Sequence, residues 1–344
     1  MNDNEKAVIK TVINTKTKTK TKLKPRYICL SGAGIYGISF LGVLNEVDLS
    51  NIEVLIGSSA GGVIVALLNI GYTPQEIYKI VHSLNLGEYQ NMSIDNLLRN
   101  YGFDNMSRIH KFFIAVLKQK INNPSNITFK ELYEKTNQTL ILTGSCVNKG
   151  KTQYFSHKTT PDMPIITAMK ITMAFIGIFS PIKYNRLHYC DGAYFDFFPI
   201  KYITDNYELH TQKGGEILGL TIKTCDYYLD KMDSLMDYMY GLYIGLSKNY
   251  CDHMSYTDNE KLKISSNIDF KYNKKNSNNK NGNNKNKNNT SIIDQKVNGH
   301  IIYIYIDIKT SSNSMNLSID GDNKKKIYEL GREHYLKYFF NKVS

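Results

Sequence analysis

A short buried strand that runs through a serine into an apolar helix leaves few folds open, and Val54-Leu55-Ile56-Gly57-Ser58-Ser59-Ala60-Gly61-Gly62 is such a stretch. Val54 to Ile56 are apolar and largely β-branched, whereas Ala60 to Leu68 is helix-compatible and almost wholly apolar. Ser59 falls at the corner. In a Gly-x-Ser-x-Gly turn the glycines at 57 and 61 permit strand and helix to approach more closely than side chains would allow, so the hydroxyl points out of the turn. The same position is a helix N-terminus, where unpaired amides favour developing negative charge. A serine that merely caps a helix would read the same way in isolation.

The preceding strand and loop narrow the choice. Tyr27-Ile28-Cys29-Leu30 reads as a first strand that enters Ser31-Gly32-Ala33-Gly34-Ile35-Tyr36-Gly37, followed by the apolar Ile38, Phe40, Leu41, Val43 and Leu44. A glycine-rich loop between strand and helix exposes consecutive backbone N–H groups, the donors an oxyanion requires. Two such turns close together in sequence suggest neighbouring strands of one sheet, one offering a nucleophile and the other an oxyanion hole. Far downstream, His188-Tyr189-Cys190-Asp191-Gly192-Ala193 follows a bend at Pro181 and precedes Phe198-Pro199-Ile200.

These three features in this order resemble the patatin-like phospholipases. The resemblance spans about residues 27 to 224 and implies a three-layer α/β fold with a central, mostly parallel sheet. It implies Ser59 and Asp191 as a catalytic dyad, and Gly32, Ala33 and Gly34 as the oxyanion loop. The implied reaction is cleavage of fatty acyl esters of phospholipids through an acyl-enzyme. A serine hydroxyl needs a neighbour to accept its proton; in a dyad Asp191 takes it directly and returns it to the leaving alcohol. The family loop usually reads Gly-Gly-Gly, a variable residue, Arg or Lys, then Gly. Here Ala33 replaces the middle glycine and Tyr36 the basic residue. Alanine keeps its N–H and serves if its φ is negative, while loss of the cation implies weaker or differently specific activity.

Other readings stay open at this point. Asp-Gly is a common turn pair, so Asp191 can be structural. Asp196 is a second carboxylate nearby, and His157 and His188 are the histidines that could extend the pair to a triad. Gly32 to Gly37 also fits the dinucleotide fingerprint G-x-G-x-x-G, although the acid that pattern wants at the end of the next strand is absent, with Glu53 before that strand and Gly57 ending it. A catalytically silent fold that binds lipid or a partner is the third reading, motivated by Ala33 and Tyr36.

Composition bounds the rest. The net charge of +12 suggests nucleic acid or an anionic membrane until it is located. Residues 1 to 24 hold seven lysines against Asp3 and Glu5, and residues 271 to 290 hold six lysines and no acid, which leaves the remainder close to neutral. The Thr-Lys alternation at 15–22 and the Asn/Lys tract at 274–290 cannot bury apolar surface and read as a basic tail and a disordered surface insertion. Only Tyr272 is interleaved with those lysines, so no nucleic-acid partner is expected; a phospholipid surface is, and a protein activator is left open.

The five cysteines, Cys29, Cys146, Cys190, Cys225 and Cys251, are widely spaced and mostly within apolar strands, which predicts free buried thiols and neither disulfides nor a metal site. No cofactor is expected. Met1 to Lys24 has no apolar core of a signal peptide, and the longest apolar run, Pro164 to Ser180, is interrupted by Lys170. The expectation is a cytoplasmic chain that meets membranes peripherally.

Strands and helices alternate along the chain. Thr73-Pro74-Gln75-Glu76 and Thr128 to Glu131 are capping boxes, and Ser107 is placed to cap a helix between them. Strands are expected at Thr139 to Val147, Thr152 to His157, through Asp191, Ile217 to Ile222 and Ile301 to Ile308. Helices are expected around Ile165 to Phe175, Leu235 to Leu246 and Lys324 to Phe340. That alternation predicts a parallel sheet covered on both faces within one domain over residues 25–344.

Overall fold

Alternate residues of the first strand face two different cores, and the layers follow from that. In β1 (Tyr27–Leu30), Ile28 and Leu30 join the large cluster that includes Phe40, Leu41, Val65 and Ile171, whereas Tyr27 and Cys29 pack with Val54, Ile56, Ile141, Ile200 and Ile203. A strand buried on both faces needs apolar residues at every position, and all four residues of β1 are buried. A computed structural model describes residues 22–85, 91–207, 216–223, 232, 237–239, 241–243, 245, 301–307 and 319–340. The basic tail up to residue 21, the Asn/Lys insertion at 271–290, Cys225 and Cys251 lie outside the described residues, as does part of the helix expected at 235–246.

The large cluster is formed by α1 (Ile38–Leu44), α2 (Ser59–Ile70), α3 (Pro74–Ser83), α5 (Ser107–Leu117), α6 (Phe129–Thr136) and α7 (Ile165–Thr172). The smaller cluster is covered by α8 (Ile200–Asn206). Between the layers runs an eight-stranded sheet. Its path is β10 (Ile301–Asp307), β9 (Ile217–Lys223), β1, β2 (Val54–Gly57), β4 (Thr139–Cys146), β8 (Leu187–Asp191) and β7 (Ile182–Tyr184), with β5 (Lys151–Phe155) pairing β4 off that path. From β10 to β4 every pairing is parallel. The β4–β5, β4–β8 and β7–β8 pairings are antiparallel. The sheet is therefore mostly parallel, and the antiparallel end carries Asp191 back toward the strand ends where β1 and β2 stop. A separate pair, β3 (Gly102–Asp104) and β6 (Gly177–Phe179), follows the short α4 (Ile94–Asn100).

The terminal helix α9 (Gly321–Phe340) lies across α1, and at Gly331 an added Cβ would strike the carbonyl oxygen of Ser39, so this crossing requires glycine. Its buried Lys324 donates to the carbonyls of His82 (3.3 Å) and Leu84, placing a cation on the C-terminal end of α3. Both capping boxes are present at Thr73/Glu76 and Thr128/Glu131. The cap expected from Ser107 is different: Met106 is the N-cap at φ +60, and the Asp104 and Asn105 side chains accept from the Met106 and Ser107 amides at 2.6 and 3.0 Å. Cys29, Cys146 and Cys190 are buried free thiols. Among the described residues no helix is long and apolar enough to cross a membrane.

Candidate active site

The turn at Ser59 is strained, and its surroundings hold it so. Ser59 has φ +54, a left-handed value that costs a non-glycine residue energy and survives only where neighbours over-determine it. Ser58, the residue after the strand, is the N-cap in extended conformation (φ −117, ψ 141), and α2 begins at Ser59. A Cβ at Gly61 would collide with the Ser31 carbonyl, so the helix can lie this close to the β1 loop only with glycine there. The Ser59 amide donates to the buried Thr172 Oγ1 at 3.0 Å. The neighbouring Ser58 hydroxyl donates to the Asp196 carbonyl at 2.7 Å and also contacts Thr143 Oγ1. Both sides of the corner are thereby fixed to other segments.

The Ser59 hydroxyl donates to Asp191 Oδ2 at 2.6 Å. The two residues are 132 positions apart and meet because β8 returns antiparallel to β4, with Gly144 opposite Asp191. The other carboxylate oxygen of Asp191 accepts from the Ala193 amide at 2.9 Å, and the Asp191 amide donates to the Ala174 carbonyl at 2.9 Å. Asp191 is 1% exposed. Burial pushes its pKa up to about 7, against the hydrogen bonds from Ser59 and Ala193, which pull it down. Burial likewise pushes the adjacent Cys190 thiol up to about 12, so it is not a competing nucleophile near neutral pH.

The glycine-rich loop is divided in its roles. The Gly32 amide donates to the Phe197 carbonyl at 2.9 Å, so Gly32 is not placed to donate to an oxyanion. This corrects the expectation that all three loop residues serve as donors. The amides of Ala33 and Gly34 donate to no group among the described residues. Ala33 has φ −151, an extended value open to alanine, and Gly34 has φ +52. Tyr36 is half-buried against the large core and brings apolar surface where the family loop usually carries a cation.

Other sequence candidates lie elsewhere. His157 stacks on Tyr133 with ring centroids 3.8 Å apart, and the His188 amide donates to Asn148 Oδ1; neither histidine is hydrogen bonded to Ser59 or Asp191. The Asp196 carboxylate accepts from the Tyr154 hydroxyl at 2.6 Å while its carbonyl holds Ser58, making it a brace for the turn. Glu53 is bonded to Arg26 before the first residues of β1 and β2, at the opposite end of the sheet from Gly32 to Gly37, where no ribose held by that loop would meet it. Thr172 was missed by sequence reasoning. Its signal was a hydroxyl in the apolar run Ile171-Thr172-Met173, which must find a partner when buried.

A mostly parallel three-layer sheet, with a strained serine after one strand and a buried carboxylate at the end of another, defines a class of α/β folds built around a serine elbow. Within that class, the pattern of the patatin-like phospholipases matches residues 28–203, slightly more than half of the chain, and the chain belongs to this family. A probable lipid hydrolase of Invertebrate iridescent virus 6 is 37% identical over 191 residues, covering 52% of this chain and 64% of the relative. An uncharacterized protein of Acanthamoeba polyphaga mimivirus is 27% identical over 187 residues, 52% and 61% of the two chains. The chain thus spans less than two thirds of the length of either relative. Among solved structures it is similar to VipD of Legionella pneumophila, at 14% identity and a TM-score of 0.45 over 95% of this chain and 72% of the other. It is similar also to ExoU of Pseudomonas aeruginosa, at 14% identity and a TM-score of 0.44 over 91% and 53%.

Proposed function

We propose that the chain is a serine acyl hydrolase of phospholipase A type, cleaving fatty acyl esters of phospholipids through a Ser59–Asp191 dyad. The observation that carries this reading is the 2.6 Å hydrogen bond from the Ser59 hydroxyl to Asp191 Oδ2, made from a left-handed elbow. As the Ser59 oxygen attacks the ester carbonyl, its proton passes to Asp191; the carbonyl oxygen becomes an oxyanion opposite the Ala33 and Gly34 amides. Collapse expels the lysophospholipid alkoxide, which takes the proton from Asp191 and leaves Ser59 acylated. Water attacks the acyl-enzyme, Asp191 accepts its proton, and the fatty acid departs as the proton returns to Ser59.

A base with a pKa near 7 is matched to this cycle, since it holds a proton readily and gives it up readily at neutral pH. The substrate would be met at a bilayer surface. The test is fatty acid release from mixed phospholipid vesicles by the wild type, Ser59→Ala and Asp191→Asn chains. Release should vanish in both variants; persistence in Asp191→Asn would transfer the base role to another residue. A second reading, a silent fold that binds lipid or a partner, is favoured by one observation, the engagement of Gly32 with Phe197. Absence of release from the folded wild-type chain on every headgroup would support it.

A further inference from the structure

Helix α4 is fastened by its polar groups and turns two of its three apolar side chains, Ile94 and Leu98, outward while Leu97 is partly covered, unlike an ordinary surface helix. None of its residues is buried. Ser93 caps it, and Asn96 Nδ2 donates to the Gly102 carbonyl and to Ser180 Oγ (2.9 Å), tying it to β3 and to the residue after β6. Meanwhile Ile94 is 70% exposed, Leu98 76% and the C-cap Tyr101 72%. A seven-residue helix is marginal by itself, so these side chains are held out in water by contacts made elsewhere.

The exposed surface continues toward the site. Tyr101 and Ile176 immediately precede Gly102 and Gly177, which pair as the first residues of two parallel strands, and Ile176 is itself exposed. A Cβ on Gly177 would meet the Met239 side chain, so the helical residues 237–239 lie against β6, with Tyr238 and Leu242 each 52% exposed. Behind them Tyr243 packs on Phe175 and Tyr194. The segment 172–176 serves both regions: Thr172 accepts from the Ser59 amide, Ala174 accepts from the Asp191 amide, and Ile176 belongs to the exposed face.

We propose that this face, which includes Ile94 and Leu98, is where the chain rests on a phospholipid bilayer. The inference rests on the lipid-ester reading of the adjoining site, and three observations favour a bilayer over a protein. The face adjoins the serine and carboxylate that would act on a lipid. Aliphatic side chains are accompanied by Tyr101 and Tyr238, whose rings suit the boundary between acyl chains and water. The only charges on α4, Asp95 and Arg99, pair with each other at 2.7 Å, so the helix brings no net charge. Docking of this face on a zwitterionic bilayer is accordingly driven by apolar insertion and is insensitive to salt.

The test measures partitioning onto phosphatidylcholine vesicles at about 0.1 and about 0.5 M salt. It uses the full Ser59→Ala chain, so that no turnover intervenes, with and without Ile94→Asp and Leu98→Asp. The paired aspartates should weaken partitioning roughly tenfold or more at both salt concentrations. The same pair in a chain with Ser59 intact should keep hydrolysis of a soluble short-chain ester. Unchanged partitioning of the paired variant overturns the inference, as does an unmodified face that ignores these vesicles. Conversion of a dimer to a monomer by the aspartates, with partitioning intact, overturns it in favour of a second copy. Wild-type chain that partitions as described but releases no fatty acid removes the hydrolase reading and leaves the docking face standing.

Discussion

The two ends of the central sheet are built on opposite principles. Before the N-terminal ends of β1, β2 and β9, Arg26 bridges Glu53, at 2.7 and 2.8 Å, and the buried Glu216. One guanidinium is shared there by two carboxylates, and its pKa is raised by its bonds to Glu53. Past the C-terminal ends, Ser59 is held in a left-handed conformation, and a carboxylate is buried with hydroxyl and amide donors but with no cation among its hydrogen-bond partners. One end joins three strands that are far apart in sequence; the other stores unfavourable geometry and an unfavourable charge. A parallel sheet separates the two tasks, because strand starts and strand ends lie on opposite sides of the molecule.

If that division is real, substitutions at one end should change chemistry and those at the other stability. The largest effect is expected at the dyad: Asp191→Asn should lower ester hydrolysis by about a thousandfold or more while raising stability at pH 8 by roughly 1–3 kcal/mol, measured by urea unfolding. The sign follows from the pKa. The folded chain keeps a proton on Asp191 up to about pH 7, whereas the unfolded chain loses it near 3.8, so stability present below the lower value is lost as pH rises through the upper one. Activity should rise over that same interval, and a wild type that becomes both more active and more stable from pH 5 to pH 8 through this group would break the comparison.

At the other end, Arg26→Met takes the guanidinium from Glu216, whose side chain is 1% exposed, and should destabilise by roughly 3 kcal/mol. The turnover per folded molecule should be unchanged. Thr172→Val, which removes the acceptor for the Ser59 amide, should reduce turnover roughly tenfold, with Thr172→Ser keeping it near the wild-type value; turnover kept in Thr172→Val and lost in Thr172→Ser would argue that the methyl group matters and not the hydrogen bond. Smallest is Thr73→Ala at the capping box of α3, which should cost about 1 kcal/mol in thermal unfolding and leave hydrolysis intact.

Much of the site could be read in the sequence because its signals are local. The Gly-x-Ser-x-Gly corner, the loop at Gly32 to Gly34 and the Asp-Gly pair each bend the chain through their own residues, and the capping boxes at Thr73 and Thr128 do likewise. Long-range bonds are not legible in this way. Arg26 and Glu216 lie 190 positions apart, Ser59 and Thr172 113 apart, and neither pair leaves a periodic trace. The engagement of Gly32 by Phe197 needs the β8 segment to fold back first, so a sequence offers three loop amides where the fold leaves two. Helix α4 was missed because its apolar residues do not form a buried face, and the sheet order β10-β9-β1-β2-β4-β8-β7 is fixed by packing that no single segment encodes.

The claim on which the rest depends is that Ser59 is activated where the sheet ends. Incubation with a fluorophosphonate, followed by intact-protein and peptide mass spectrometry, tests it most directly. The account predicts one adduct per chain, on Ser59, absent from Ser59→Ala and strongly slowed in Asp191→Asn. An adduct on another residue, equal labelling of Ser59→Ala, or no labelling of the folded wild-type chain would contradict it.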